Sequence, residues 1–162
     1  MPDAIPDALP VCGQRTDRGP ALFAMYRRLD PTGVSSTGLV AYVVRWPDGS
    51  ATSRWITARP PVGYHRPVSQ AETWDRLEEV MAVHGHHGST VLMPVDDGPN
   101  TPHSLAFVVR RQVVAWGTEW PGGRCTTAAV LPEPYREITE WTSPDAPLMH
   151  RFRSCERLRW SS

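Results

Sequence analysis

Residues 39–46 read LVAYVVRW, residues 47–50 read PDGS, and residues 51–58 read ATSRWITA. The first run is rich in β-branched and aromatic residues, which fit a pleated, half-buried surface. The Asp48-Gly49 pair takes the positive φ that a tight hairpin turn demands, and the third run returns as the partner strand. Seventy-four positions later the pattern recurs: residues 113–120 read VVAWGTEW and Pro121-Gly122-Gly123 follows. At that constant offset Val40 meets Val114, Ala41 meets Ala115, Trp46 meets Trp120, Gly49 meets Gly123, Thr52 meets Thr126 and Pro60 meets Pro134. Self-similarity at a fixed period marks repeated structural units, so the chain reads as an internal duplication.

On the N-terminal side, residues 21–28 (ALFAMYRR) predict a strand ending in paired arginines, and residues 105–111 (LAFVVRR) echo it. Between the first two strands lies LDPTGVSSTG (29–38), which has loop chemistry; the second copy lacks this insertion. Residues 62–66 predict a short extra strand. Ser69-x-x-Glu72 has the form of a capping box at a helix start. Trp74, Leu77, Met81 and His84 then follow at helical spacing with Val80 beside them, Glu72 and Arg76 stand four apart, and Gly85 is a C-terminal stop. Residues 89–95 close the unit as a strand.

Residues 96–103 (DDGPNTPH) read as a linker. At the same offset Ser69 meets Ser143, and Pro144 and Asp145 suit a helix start. Leu148, Phe152 and Cys155, flanked by Met149 and Leu158, predict a terminal helix carrying Arg151, Arg153, Arg157 and Arg159. The expected organisation is a flexible arm at 1–20, a first unit at 21–95, and a second, shortened unit at 104–162 without a closing strand. The fold class is α+β: antiparallel β-hairpins with one covering helix per unit.

The chain has 162 residues and 40% apolar content. A chain of this size buries roughly 70% of its unfolded surface, so it needs no staple to fold. Seventeen acids balance 17 basic residues, and every basic one is Arg. Zero net charge argues against a generic nucleic-acid coat but leaves room for a local basic patch. Cys12, Cys125 and Cys155 lie far apart and form no metal or disulfide motif. The first ten residues, MPDAIPDALP, lack the basic start of a secretory signal. No apolar run approaches the ~20 residues of a membrane span. The expected location is the cytoplasm, with no membrane partner.

Residues 22–95 resemble small uncharacterised proteins of actinobacteria, haloarchaea and their phages. Thr32–Gly38 (TGVSSTG), Val40-Ala41, Pro47-Asp48-Gly49, Arg54-Trp55 and His84-Gly85-His86 with Gly88 and Thr90 carry the resemblance. The second copy matches only in its hairpin and lacks the His-Gly-His ending. The resemblance implies a shared fold unit and a phage or mobile-element origin, and it implies no reaction.

Several sites are candidates. His84, His86 and His87, with His103, Asp96 and Asp97, suggest a transition-metal site for an ion such as zinc. The bland alternative is a helix end where imidazoles meet free carbonyls. The loop GVSSTG suggests an anion cradle, yet it joins two strands rather than opening a helix. No nucleophile elbow is present. Arg110, Arg111, Arg151, Arg153, Arg157 and Arg159 suggest a surface for phosphates or an acidic protein. Trp116 suggests a stacking face, although a core position is commoner for such a residue. The leading expectation is therefore a non-enzymatic binding or regulatory module, without a cofactor, acting on a protein or nucleic-acid partner. The alternatives are a metal-dependent enzyme built on His84 and His86, and a virion structural or assembly protein.

Overall fold

Both hairpins form where the β-branched runs predict them. The computed structural model describes residues 19–29, 37–56, 71–95, 98–130 and 137–160. In chain order the strands are β1 (Ala21–Arg27), β2 (Gly38–Arg45), β3 (Ala51–Trp55), β4 (Ala71–Trp74) and β5 (Thr90–Pro94), with helix α1 (Leu77–His84) between β4 and β5. They continue as β6 (His103–Val109), β7 (Gln112–Glu119), β8 (Cys125–Ala129), β9 (Ile138–Trp141) and β10 (Glu156–Trp160), with helix α2 (Ala146–His150) between β9 and β10. Among the described residues no helix is long and apolar enough to cross a membrane.

The described residues divide into two compact units. One is drawn from Leu22–Arg45 and Gly49–Val95; the other is drawn from Asp96–Ser162, together with 19–21 and Trp46–Asp48. Each holds one antiparallel five-stranded sheet. The first has the order β4-β3-β2-β1-β5 and the second has β10-β6-β7-β8-β9. Read from the opposite edge, the second order matches the first strand for strand. β2 and β7 lie 74 residues apart at both ends, as do β3 and β8.

Each core gathers where a helix meets the sheet. In the first unit Met25, Ala41, Val43 and Ala51 point to one face, where Val80 and Leu77 of α1 join them with Trp55, Trp74 and Leu92. In the second unit Leu105, Phe107, Ala115 and Cys125 gather with Phe152, Leu148, Trp141 and Cys155. Burying one such large side chain stabilises the fold by about 1.5–3 kcal/mol. Gly117 lets a neighbouring ring pack closely: a Cβ there would sit 2.9 Å from the Phe107 ring.

The structure corrects several expectations. The first helix begins at Leu77, not at Ser69, because residues 71–74 pair with β3 at Ala51↔Trp74 and Ser53↔Glu72. Glu72 is thus a strand residue, the helix N-cap is Arg76 with no side-chain cap, and Ser69 lies outside the described residues. The terminal arginine-rich helix does not form. α2 ends at His150, and Glu156–Trp160 runs as β10 against β6, with Arg157 opposite Phe107 and Arg159 opposite Leu105. The alternation Arg157, Leu158, Arg159, Trp160 is a period-two pattern, and it outweighs the helical spacing of Leu148, Phe152 and Cys155. The second unit therefore has the closing strand it was expected to lack. β4 and β9 also lie where no strand was expected, and the strand expected at 62–66 lies outside the described residues.

The start of α2 follows the sequence only in part: the helix begins at Ala146 with Asp145 as N-cap, so Pro144 precedes it rather than opening it. Ser143 Oγ accepts from the Ala146 N–H at 3.3 Å, and Pro147 lies in the first turn. The insertion is also as read: β1 and β2 are separated by 28–37, whereas β6 and β7 are joined by Arg110 and Arg111 alone.

Candidate functional site

Two groups of functional side chains stand out, one in each unit. In the first, Arg27 closes β1 on the same face as Phe23 and Met25, and only 2% of its surface is exposed. Its guanidinium lies 5.9 Å from the Trp55 ring centre, a cation–π distance, and its Nε donates to Thr90 Oγ1 at 3.3 Å. His84, the last residue of α1, meets Trp55 edge-on at 4.8 Å and Trp74 edge-on at 5.5 Å. Trp74 Nε1 donates to Ser53 Oγ at 2.9 Å, which fixes that ring. His84 Nε2 is buried without a hydrogen-bond partner and lies 3.6 Å from Glu72 Oε2. Burial holds the His84 pKa below its usual value; Glu72 pulls it up, while Arg27 and His86 push it down.

Three residues that carried the family resemblance, Trp55, His84 and Thr90, thus converge although the chain separates them widely. Arg27, Ser53, Glu72 and Trp74 were missed as members of this group. The available signal for Arg27 was its two-residue spacing from Met25 and Phe23, which places it on the buried face. Its place beside Arg28 in a pair of arginines obscured that spacing.

The expected metal ligands do not gather. Among the described residues no three His, Cys, Asp or Glu side chains lie close enough to hold an ion. His84 faces Glu72 between two indoles, so it is a packed side chain, while His87 is exposed on the turn His86–Gly88. Asp96 and Asp97 lie outside the described residues, as does most of the GVSSTG loop. Burial pushes the Cys125 thiol up to about 12, so it stays protonated and is a poor nucleophile at neutral pH.

In the second unit, Arg110 and Arg111 form the two-residue turn between Val109 and Gln112. Both are exposed, and both have positive φ, 48° and 65°. Such turns normally hold Asn-Gly, and the left-handed conformation costs an ordinary residue about 1–2 kcal/mol. The register Glu156↔Val108 brings Arg153, just before β10, to this same end of the sheet. Arg153 is exposed, and its Nε donates to the Met149 carbonyl at 3.0 Å, which orients the guanidinium. Arg151 sits over Phe152 and pairs with Glu137.

The remaining expected contact residues lie elsewhere. Arg157 bonds Asp145 Oδ1 at 2.5 Å, and Arg159 reaches His103 Nδ1 at 2.7 Å. Trp116 is 2% exposed and packs edge-on to Trp160 at 5.1 Å, so it presents no ring to a partner. The arginine set expected on one helix is therefore divided. Arg110, Arg111, Arg151 and Arg153 share one end of the sheet, while Arg157 and Arg159 lie along a strand.

A family model described as Acb5 phage protein matches residues 20–96, just under half of the chain. No curated protein and no solved structure matches the chain. The matched region covers the first sheet with its arginine, histidine and tryptophan cluster. That part of the chain is similar to a phage protein, which supports the phage association expected from the sequence.

Proposed function

We propose that this protein is a non-enzymatic binding or regulatory module of a phage or mobile element, and that it arose by duplication of one five-stranded unit with a covering helix. The single observation that carries the reading is the Arg110–Arg111 turn. Two exposed arginines stand in a conformation that another residue pair would adopt with less strain. Strain kept at an exposed charged tip is the mark of a contact site. Arg153 adds a third guanidinium at the same sheet end, and its flat fork suits carboxylates or phosphates.

The partner is a protein or nucleic acid bearing anionic groups. Full-length protein and the triple variant R110E/R111E/R153E are compared against a labelled DNA duplex, a single strand, and a lysate of phage-infected host cells with and without nuclease. The reading predicts capture by the parent and at least tenfold weaker capture by the variant, with unchanged folding by circular dichroism. Nucleic-acid contact through three phosphates would give a log–log salt slope of about 2.7 in magnitude. A captured acidic protein would survive nuclease. Undiminished binding by the variant would contradict the proposed surface.

A further inference from the structure

The end of α1 holds a contact whose chemistry changes with one proton. The groups around His84 come from every neighbouring element: Arg27 from β1, Trp55 from β3, Glu72 and Trp74 from β4, His86 from the following turn, and the Thr90 hydroxyl from β5, bonded to Arg27. Neutral imidazole suits this seat, because its edges pack on two indoles as an apolar ring does. An imidazolium does not suit it. Nε2 is buried without a hydrogen-bond partner, and its counter-charge is Glu72 Oε2 at 3.6 Å, within ion-pair range but on a carboxylate 40% exposed to solvent. Glu72 favours the charge, while burial, the Arg27 guanidinium and His86 oppose it more strongly.

The chain leaving the seat is strained. His86 and His87 both have positive φ, 45° and 54°. The second unit is an internal control. There the helix also ends in a histidine beside the tryptophan of the preceding strand, but His150 is exposed and lies flat on Trp141 at 6.3 Å, with an interplanar angle of 12°. A helix-end histidine on tryptophan therefore belongs to the fold. Burial of that histidine among Arg27, Trp55 and Glu72 belongs to the first unit alone.

We propose that His84 is a proton-operated release, in which protonation drives the ring out of the Trp55–Trp74 seat and frees the end of α1 from strand β4. The proton comes from solvent and rests on the imidazole, and the freed turn relaxes at His86 and His87. The device is independent of the arginine surface in the second unit.

The test is a pH titration of the full-length, isotope-labelled protein by NMR from about pH 7.5 to about pH 5, where histidine titrates. The signals followed are the His84 ring, the Trp55 and Trp74 indole N–H groups, and the amides of α1. The inference predicts that the indole signals shift together with His84, at a midpoint below 6.5. The opening equilibrium of the α1 amides should rise by up to about tenfold per pH unit, the limit for one proton. H84F, which keeps an aromatic edge and cannot titrate, should abolish the response. E72Q, which removes the group favouring the charge, should lower the closed-state pKa further, so that release continues to lower pH and goes further toward completion. Indole signals that stay fixed while His84 titrates would overturn the inference. So would a response that persists in H84F or one unchanged in E72Q. E72Q decides the matter if H84F does not fold.

Discussion

The two units place different chemistry on one strand order. Arg27 ends β1, and Val109 ends β6; Trp55 ends β3, and Ala129 ends β8; Glu72 and Thr139 are the second residues of β4 and β9. Where the first unit buries a guanidinium against an indole, the second packs Phe107 at a tilt against Phe152 at 5.4 Å. Two features survive in both. Trp74 donates to Ser53 and Trp141 donates to Thr127, at 2.9 and 2.8 Å, and each helix ends in a histidine against that tryptophan. The shared pair is what the fold requires. The polar cluster is not required, because the second unit closes without it.

Phe107→Ala strikes the second core alone. Phe107 is fully buried and packed against Phe152, and its loss should cost about 3–5 kcal/mol in chemical denaturation. A cost below about 1 kcal/mol would mean that the second core is not built around it. A smaller effect, of opposite sign, is expected at the turn. R110N/R111G relieves two left-handed non-glycine residues and should raise stability by about 1–2 kcal/mol while weakening partner capture. A variant that is stabilised yet binds as before would separate the strain from the function.

The cluster gives a third test, with its sign set by linkage. The folded-state pKa of His84 lies below the usual 6.5, so the folded protein binds fewer protons than the unfolded chain. Stability is therefore complete above about pH 6.5, falls as pH drops through that value, and levels off below the folded-state value. Urea midpoints across this range should show the fall in the parent and a flatter profile in H84F. The smallest effect belongs to the exposed Arg151–Glu137 pair, whose removal by E137Q should change stability by less than about 1 kcal/mol.

Much of the fold was legible because its signals are local. The β-branched runs and the Asp48-Gly49 and Gly122-Gly123 turns fixed four strands, and the constant offset of β2 with β7 and of β3 with β8 revealed the repeat. β4 and β9 were hidden because a four-residue strand shows little alternation and Ser69-x-x-Glu72 imitates a helix start. The offset also changes beyond β3 and β8: Trp74 and Trp141 lie 67 apart, not 74, so a constant-offset match passes over them. β10 was hidden behind apolar residues at helical spacing. The cluster at His84 was half legible. Trp55, His84 and Thr90 were singled out by the resemblance, but Arg27 and Glu72 join them only through the β1–β5 and β3–β4 registers.

The repeated strand order is tested most directly at its last strand. Cross-strand nuclear Overhauser contacts should link Phe107 with Arg157 in the second unit and Met25 with Leu92 in the first. A continuous helical series of contacts through residues 151–159, with none to β6, would contradict the account.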